Sequence, residues 1–219
     1  MHRCRCRCKS EAMPDISLPY FLARPVADPP WPGVVVIHEG NGISPQLLRF
    51  CQRLAAAGYG AIAPDLFFRA GGTEAGDFAT LMGSLEPERT QGDIDQAASI
   101  LRAMGADKVG VTGFCMGGRL TYHSAVWGHG FDAAVGFYGA GIADELAEPT
   151  CPTLLFFGGS DDYIPTEQIE RVQAHHPDTV VYPDAGHGFF RDGSENFNEA
   201  AAADAGTRLM DFFAEHLRP

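Results

Sequence analysis

The sequence predicts a single α/β domain built on a mainly parallel sheet with helices on both faces. Three observations carry this. Short apolar runs alternate with longer stretches of helical period along the whole chain. The apolar runs are mostly continuous, as strands covered on both faces require. No internal repeat, low-complexity tract or linker divides the 219 residues, a length one core can serve.

Each element has its own signal. Residues 16–25 carry short apolar alternation with Pro19 and Pro25, which suits an edge strand or entry ribbon. Val34-Val35-Val36-Ile37 is a buried strand, and the loop His38-Glu39-Gly40-Asn41-Gly42 follows it. A helix comes next. Ser44 can cap it, Pro45 fits its first position, Leu47, Leu48, Cys51, Leu54 and Ala55 hold the period, and Gly58 closes it. Ala61-Ile62-Ala63 is a second buried strand. Residues 67–85 are Gly-rich and irregular, with a short helix expected near Phe78. Helices are expected over 88–104, 115–126, 166–174 and 199–217. Strands are expected over 109–112, 133–137, 153–157 and 179–182. On the last helix Leu209, Phe212 and Phe213 form the expected buried face. In such sheets ligands bind beyond the carboxyl ends of the strands.

Composition narrows the function. Hydrophobic residues at 45% and charged residues at 20% are ordinary for a globular chain. A formal charge of -12 would repel a polyphosphate, so no nucleic-acid partner is expected. No apolar run reaches the length of a membrane span. The start, Met1-His2-Arg3-Cys4-Arg5-Cys6-Arg7-Cys8-Lys9, is basic, but no apolar segment follows as in a secretory signal, so the expected compartment is the cytoplasm. The spacing of Cys4, Cys6 and Cys8 is compatible with a soft metal. Residues 1–12 nonetheless read as a disordered N-terminal extension ahead of a domain over 13–219, and no metal is expected. Cys51 and Cys151 read as small buried side chains.

The sharpest motif is Gly113-Phe114-Cys115-Met116-Gly117-Gly118, between a strand and a helix. It has the G-x-C-x-G form of a nucleophile elbow, with cysteine as the nucleophile. A sharp turn must project that side chain, and a side chain two positions either side would collide with the turn or the neighbouring strand. The helix start beyond it favours a thiolate, and the Met116 N–H faces the place where an oxyanion would form. Two partners follow in the order such a site needs. Gly158-Gly159-Ser160-Asp161-Asp162-Tyr163-Ile164-Pro165 is a turn at a strand end that offers two aspartates. Ala185-Gly186-His187-Gly188-Phe189 places His187 between the last strand and the last helix.

Together these residues resemble the dienelactone hydrolase family, a cysteine-dependent branch of the α/β-hydrolase fold, over nearly all the chain from about Trp31 onward. The family elbow G-x-C-x-G-G matches Gly113, Cys115, Gly117 and Gly118. The family acid stands in a D-x-x-[VI]-P turn, which selects Asp161 over Asp162, and the family histidine matches His187. Ile37-His38-Glu39 matches a strand-end glutamate. Pro64-Asp65-Leu66-Phe67-Phe68-Arg69 matches an arginine after a P-D-L turn, and Arg191 matches a second arginine four residues beyond the histidine. Gly40-Asn41-Gly42 departs from the pattern, because bulkier apolar residues are common there in the family.

The resemblance implies a hydrolase that cleaves a lactone or ester through a cysteine thioester. Cys115, Asp161 and His187 would act with Glu39, which can bond the thiol or take its proton. The backbone N–H groups of Met116 and Gly40 would form the oxyanion hole. Arg69 and Arg191 would hold a substrate carboxylate, as in dienelactone. No cofactor and no protein partner is implied, only a small-molecule ester or lactone. Two other readings remain: a general carboxylesterase or thioesterase, and a catalytically silent thiol sensor or binding protein. A sensor needs no His–Asp pair.

Overall fold

The computed structural model describes residues 17–127 and 130–218. The proposed extension over 1–12, with Cys4, Cys6 and Cys8, lies outside the described residues. The described chain forms one seven-stranded sheet in the order β1-β3-β2-β4-β5-β6-β7. Its strands are β1 (Tyr20–Ala23), β2 (Trp31–Ile37), β3 (Gly60–Pro64), β4 (Ala106–Phe114), β5 (Ala133–Phe137), β6 (Thr153–Gly158) and β7 (Val180–Tyr182). Only the edge strand β1 runs antiparallel, against β3; every other pairing is parallel. This is the sheet of an α/β-hydrolase, and it agrees with the sequence reading strand for strand.

Side chains alternate across the sheet, so each apolar run feeds two cores. Val34 and Val36 pack with Leu47, Phe50 and Leu54 of helix α1 (Pro45–Ala56) and with Leu209, Phe213 and Leu217 of helix α6 (Glu199–Leu217). Val35 and Ile37 pack on the other side with Ile94, Ala97 and Leu101 of helix α3 (Pro87–Ala103). Helix α1 starts as expected: the Ser44 hydroxyl accepts from the Leu47 N–H at 3.2 Å, and Pro45 holds its first position. The short helix near Phe78 is α2 (Phe78–Gly83), capped by Asp77. The remaining helices are α4 (Met116–Trp127) and α5 (Thr166–His175).

Two details differ from the sequence reading. Cys115 is not the first residue of a helix but a left-handed turn residue in front of α4, with φ of 54°. Phe212 is only half-buried. The buried stripe of α6 runs through Ala201, Ala205, Leu209, Phe213 and Leu217, and Phe212 lies beside it against His216.

All parallel strands end on one edge of the sheet. His38 and Glu39 follow β2, Cys115 follows β4, Tyr138 follows β5, Asp161 follows β6 and His187 follows β7. Helix α4 is pressed against this edge. A Cβ on Gly117 would stand 2.4 Å from the Ile37 carbonyl oxygen, and one on Gly118 would stand 2.1 Å from that of Phe137. Both obstacles are backbone and cannot give way. Gly118→Ala should therefore destabilise the protein by roughly 3 kcal/mol, lowering Tm by roughly 6–12 °C in a circular-dichroism melt. Gly92→Ala is the control, because Gly92 is an exposed interior residue of α3 with open space where its methyl would go. It should gain about 0.5–1 kcal/mol. Equal melting of the two variants would contradict the tight helix approach.

Candidate active site

The turn into α4 projects Cys115 from the edge of the sheet. Its own N–H donates to the Phe137 carbonyl at 3.0 Å, which ties the turn after β4 to β5. A Cβ on Gly113 would lie 2.3 Å from the Gly117 carbonyl oxygen, so both flanking glycines are needed for the turn to close. Positive φ in a residue with a side chain is a strained state, of order 1–3 kcal/mol.

His187 reaches Cys115 from the loop after β7. Its Nδ1 lies 2.8 Å from Asp161 Oδ2, and Cys115 is the other side chain that acts to raise its pKa. Asp161 is held for this contact from its other side: Oδ1 accepts the N–H groups of Tyr163 at 2.8 Å and Ile164 at 3.0 Å. The aspartate side chain is fully buried, whereas Asp162 is exposed. The structure thus brings Asp161, and not Asp162, to the histidine. Because the aspartate only accepts, Nδ1 carries a proton and the other ring nitrogen faces the thiol.

Burial by itself would lower the His187 pKa. The hydrogen bonds to Asp161 and Cys115, together with their charges, outweigh it and raise the value to about 9. Two aromatic rings enclose the imidazole, Tyr138 at 5.2 Å and Tyr163 at 4.9 Å between centroids.

The other candidate residues divide into two ion pairs. Glu39 does not meet the thiol directly in this structure. Its Oε1 accepts from the Tyr138 hydroxyl at 3.2 Å, and its Oε2 accepts from Arg191 at 3.1 Å. Arg69 forms a two-pronged pair with Asp93 of α3, one bond measuring 2.8 Å, and its guanidinium lies 4.2 Å from the centre of the Phe68 ring. Met116 begins α4, and Gly40 sits under the Phe78 ring, where a Cβ would stand 2.2 Å from it.

Cys115 and Met116 open into a cleft of about 380 Å³ walled by Phe78, Met82, Leu85 and Leu120. Arg119 and Glu145, paired with each other, also line it, while Arg69 and Arg191 do not. No helix among the described residues is long and apolar enough to cross a membrane, and no group of three or more metal-ligating side chains occurs among them.

Sequence reasoning missed Tyr138, Asp93 and Arg119. Tyr138 is buried at φ of 37°, and burial and the adjacent Glu39 carboxylate hold its pKa well above the ordinary range. Its signal was a tyrosine immediately after a buried strand at the functional edge of the sheet. Asp93 offered a signal as well, a charge beside the apolar stripe of Ile94 and Ala97, where a buried carboxylate requires a partner.

The dienelactone hydrolase family model matches residues 18–217. A protein of Salmonella typhimurium named "Putative carboxymethylenebutenolidase" is 35% identical over 91% of this chain and 83% of its own length. A Synechocystis protein of the same name is 36% identical, covering 90% of this chain and 92% of its own. A crystal structure titled as a "Putative Dienelactone Hydrolase" from Klebsiella pneumoniae superimposes with a TM-score of 0.82 at 32% identity, covering 90% of this chain and 93% of that one.

The raised pKa of His187 has a testable consequence. A histidine whose folded pKa exceeds its unfolded value of about 6.5 stabilises the folded state through its charged form. That contribution is complete below about pH 6.5 and is lost as pH rises through about 9. An NMR titration of the His187 ring should show a midpoint near 9 in the wild type. In Asp161→Asn the midpoint should fall by more than about one unit, and the loss of stability between pH 7 and 10 should shrink with it. A midpoint that does not move in the variant would mean that Asp161 does not govern this imidazole.

Proposed function

The chain belongs to the dienelactone hydrolase family of enzymes acting on esters and lactones, and we propose that it cleaves a carboxylate-bearing lactone or ester through a cysteine thioester. The observation that carries the reading is the pairing of Asp161 with His187, whose pKa Cys115 also acts to raise, beside a cleft that Cys115 and Met116 line.

The steps follow from the partners of each atom. His187, its pKa raised to about 9, already holds the proton of the pair as the Cys115 sulfur bonds to the substrate carbonyl carbon. The carbonyl oxygen becomes an oxyanion between the N–H groups of Met116 and Gly40. Collapse breaks the ester bond, and the leaving oxygen takes its proton from His187. Water then gives a proton to His187 and attacks the thioester. The sulfur departs as thiolate, and the acid is released. Asp161 fixes the ring orientation and supports its charged form at both stages. A leaving group that departs as a stabilised enolate suits a thiol nucleophile better than a simple alkoxide.

Arg191 and Arg69 are the proposed carboxylate holders, and each already holds a protein carboxylate. A substrate carboxylate at Arg191 therefore exchanges with Glu39, leaving Glu39 bonded by Tyr138 alone. The same pairing favours a second reading. If the arginines stay committed to Glu39 and Asp93, the enzyme is a general cysteine esterase that uses the apolar cleft alone.

Cys115→Ala should abolish hydrolysis in a folded protein, and iodoacetamide should inactivate the wild type by labelling Cys115, since Cys51 and Cys151 are buried. Full activity in that variant would remove the basis of the mechanism. Arg69→Ala and Arg191→Ala test the substrate class. Each should lower kcat/KM for an acidic lactone by about one to two orders of magnitude, the equivalent of a charge-assisted contact of roughly 1.5–3 kcal/mol. Neutral aryl esters should change far less. If the ratio of the two specificity constants does not move, the general-esterase reading stands.

A further inference from the structure

His38 is fully buried, lies outside the catalytic line, and is bonded at both ring nitrogens. Its Nδ1 lies 2.7 Å from the Glu39 carbonyl oxygen, and its Nε2 lies 3.1 Å from the Leu66 backbone nitrogen. Partner chemistry determines the tautomer. A carbonyl only accepts, so Nδ1 bears the hydrogen; a backbone N–H only donates, so Nε2 is bare. A second proton would aim Nε2–H at the Leu66 N–H. Burial lowers the pKa further, the Glu39 bond opposing it, so the ring is held neutral. Phe67 packs on its face at 4.8 Å.

The Glu39 carbonyl also accepts from Gly42 N–H at 2.9 Å, closing a tight turn. This carbonyl and the Gly40 N–H belong to one planar trans peptide and point in opposite directions. Two donors that capture the oxygen therefore set the direction of the N–H. The Gly40 N–H has no backbone acceptor among the described residues. At the same time the Nε2 bond ties this turn to Leu66, three residues before Arg69.

We infer that His38 is a positioning residue: through the Glu39 carbonyl it aims the Gly40 N–H into the oxyanion hole, and through Leu66 it braces that turn against the loop carrying Arg69. The inference rests on the reading of Gly40 as an oxyanion donor. It assigns His38 an effect on the transition state and none on the thiol itself, which separates it from a general structural role.

The two amide variants split the two bonds. His38→Gln can place its oxygen near the Nε2 position and keep the Leu66 bond, but it has no donor at the Nδ1 position. His38→Asn places an N–H near Nδ1 and leaves Leu66 unpaired. With p-nitrophenyl acetate as substrate, His38→Gln should lose about tenfold to a hundredfold in kcat with KM changed by less than about twofold, somewhat less than outright removal of an oxyanion donor. The rate of Cys115 alkylation by iodoacetamide needs no oxyanion hole and should stay within about twofold. His38→Asn, which loses only the Leu66 brace, should lose less kcat than His38→Gln. An unchanged kcat in His38→Gln, alkylation that slows in proportion, or equal losses in both variants would overturn the inference. Should His38→Gln fail to fold, His38→Ala, which keeps neither bond, takes its place: a kcat loss of about tenfold or more with normal alkylation supports the inference, and retained kcat overturns it. Cys115→Ala run in parallel separates the two levels. Its inactivity alongside an unaffected His38→Gln removes only the role of His38, whereas its activity removes the mechanism beneath.

Discussion

Helix α4 begins against the backbone of two strands, and that contact decides where Cys115 stands. Gly117 meets the Ile37 carbonyl and Gly118 meets the Phe137 carbonyl at distances no side chain permits. The helix therefore starts directly at the sheet edge, and Cys115 must turn through a left-handed conformation to connect β4 to it. The bond from its N–H to Phe137 holds that turn in place. The strain is offset by burial of α4 through Tyr122, Ala125 and Val126. The same start leaves the first N–H groups of α4 without helical acceptors, which is what an oxyanion hole requires.

Charge at the site is balanced locally, although the chain as a whole is strongly acidic. Arg191 pairs with Glu39, Arg69 with Asp93 and Arg119 with Glu145. An incoming carboxylate thus meets cations that already have partners. Binding of such a group would depend on the difference between two similar ion pairs, that is, on geometry more than on net field.

Two histidines at this edge show how environment assigns roles. His187 faces a buried carboxylate and is raised to about 9, fit to carry a proton. His38 faces a carbonyl on one side and an N–H on the other, and burial keeps it neutral. The residue type is the same, but the hydrogen-bond partners differ in what they can donate or accept. Asp161 is similarly defined by its surroundings. Two backbone N–H groups hold one oxygen so that the other meets His187, whereas its neighbour Asp162 faces solvent.

By itself the sequence determined the α/β architecture, the strand and helix order, and the elbow at Cys115, because these follow from periodicity, caps and glycines that act within a few residues of one another. It also placed His187 and the Asp161–Asp162 turn at strand ends, though choosing between the two aspartates took a family resemblance; in the structure it is Asp161 whose carboxylate meets His187. The tertiary structure alone decided what the charged residues touch. The pairing of Arg191 with Glu39 spans 152 positions, and the Tyr138 contact to that glutamate spans 99. That of Arg69 with Asp93 spans 24, between a loop and a helix. Long flexible side chains choose partners by the distances that packing creates, and no local pattern encodes those distances. The brace at His38 was equally invisible, since its meaning lies in which backbone groups meet its two nitrogens once the β2 and β3 loops lie side by side.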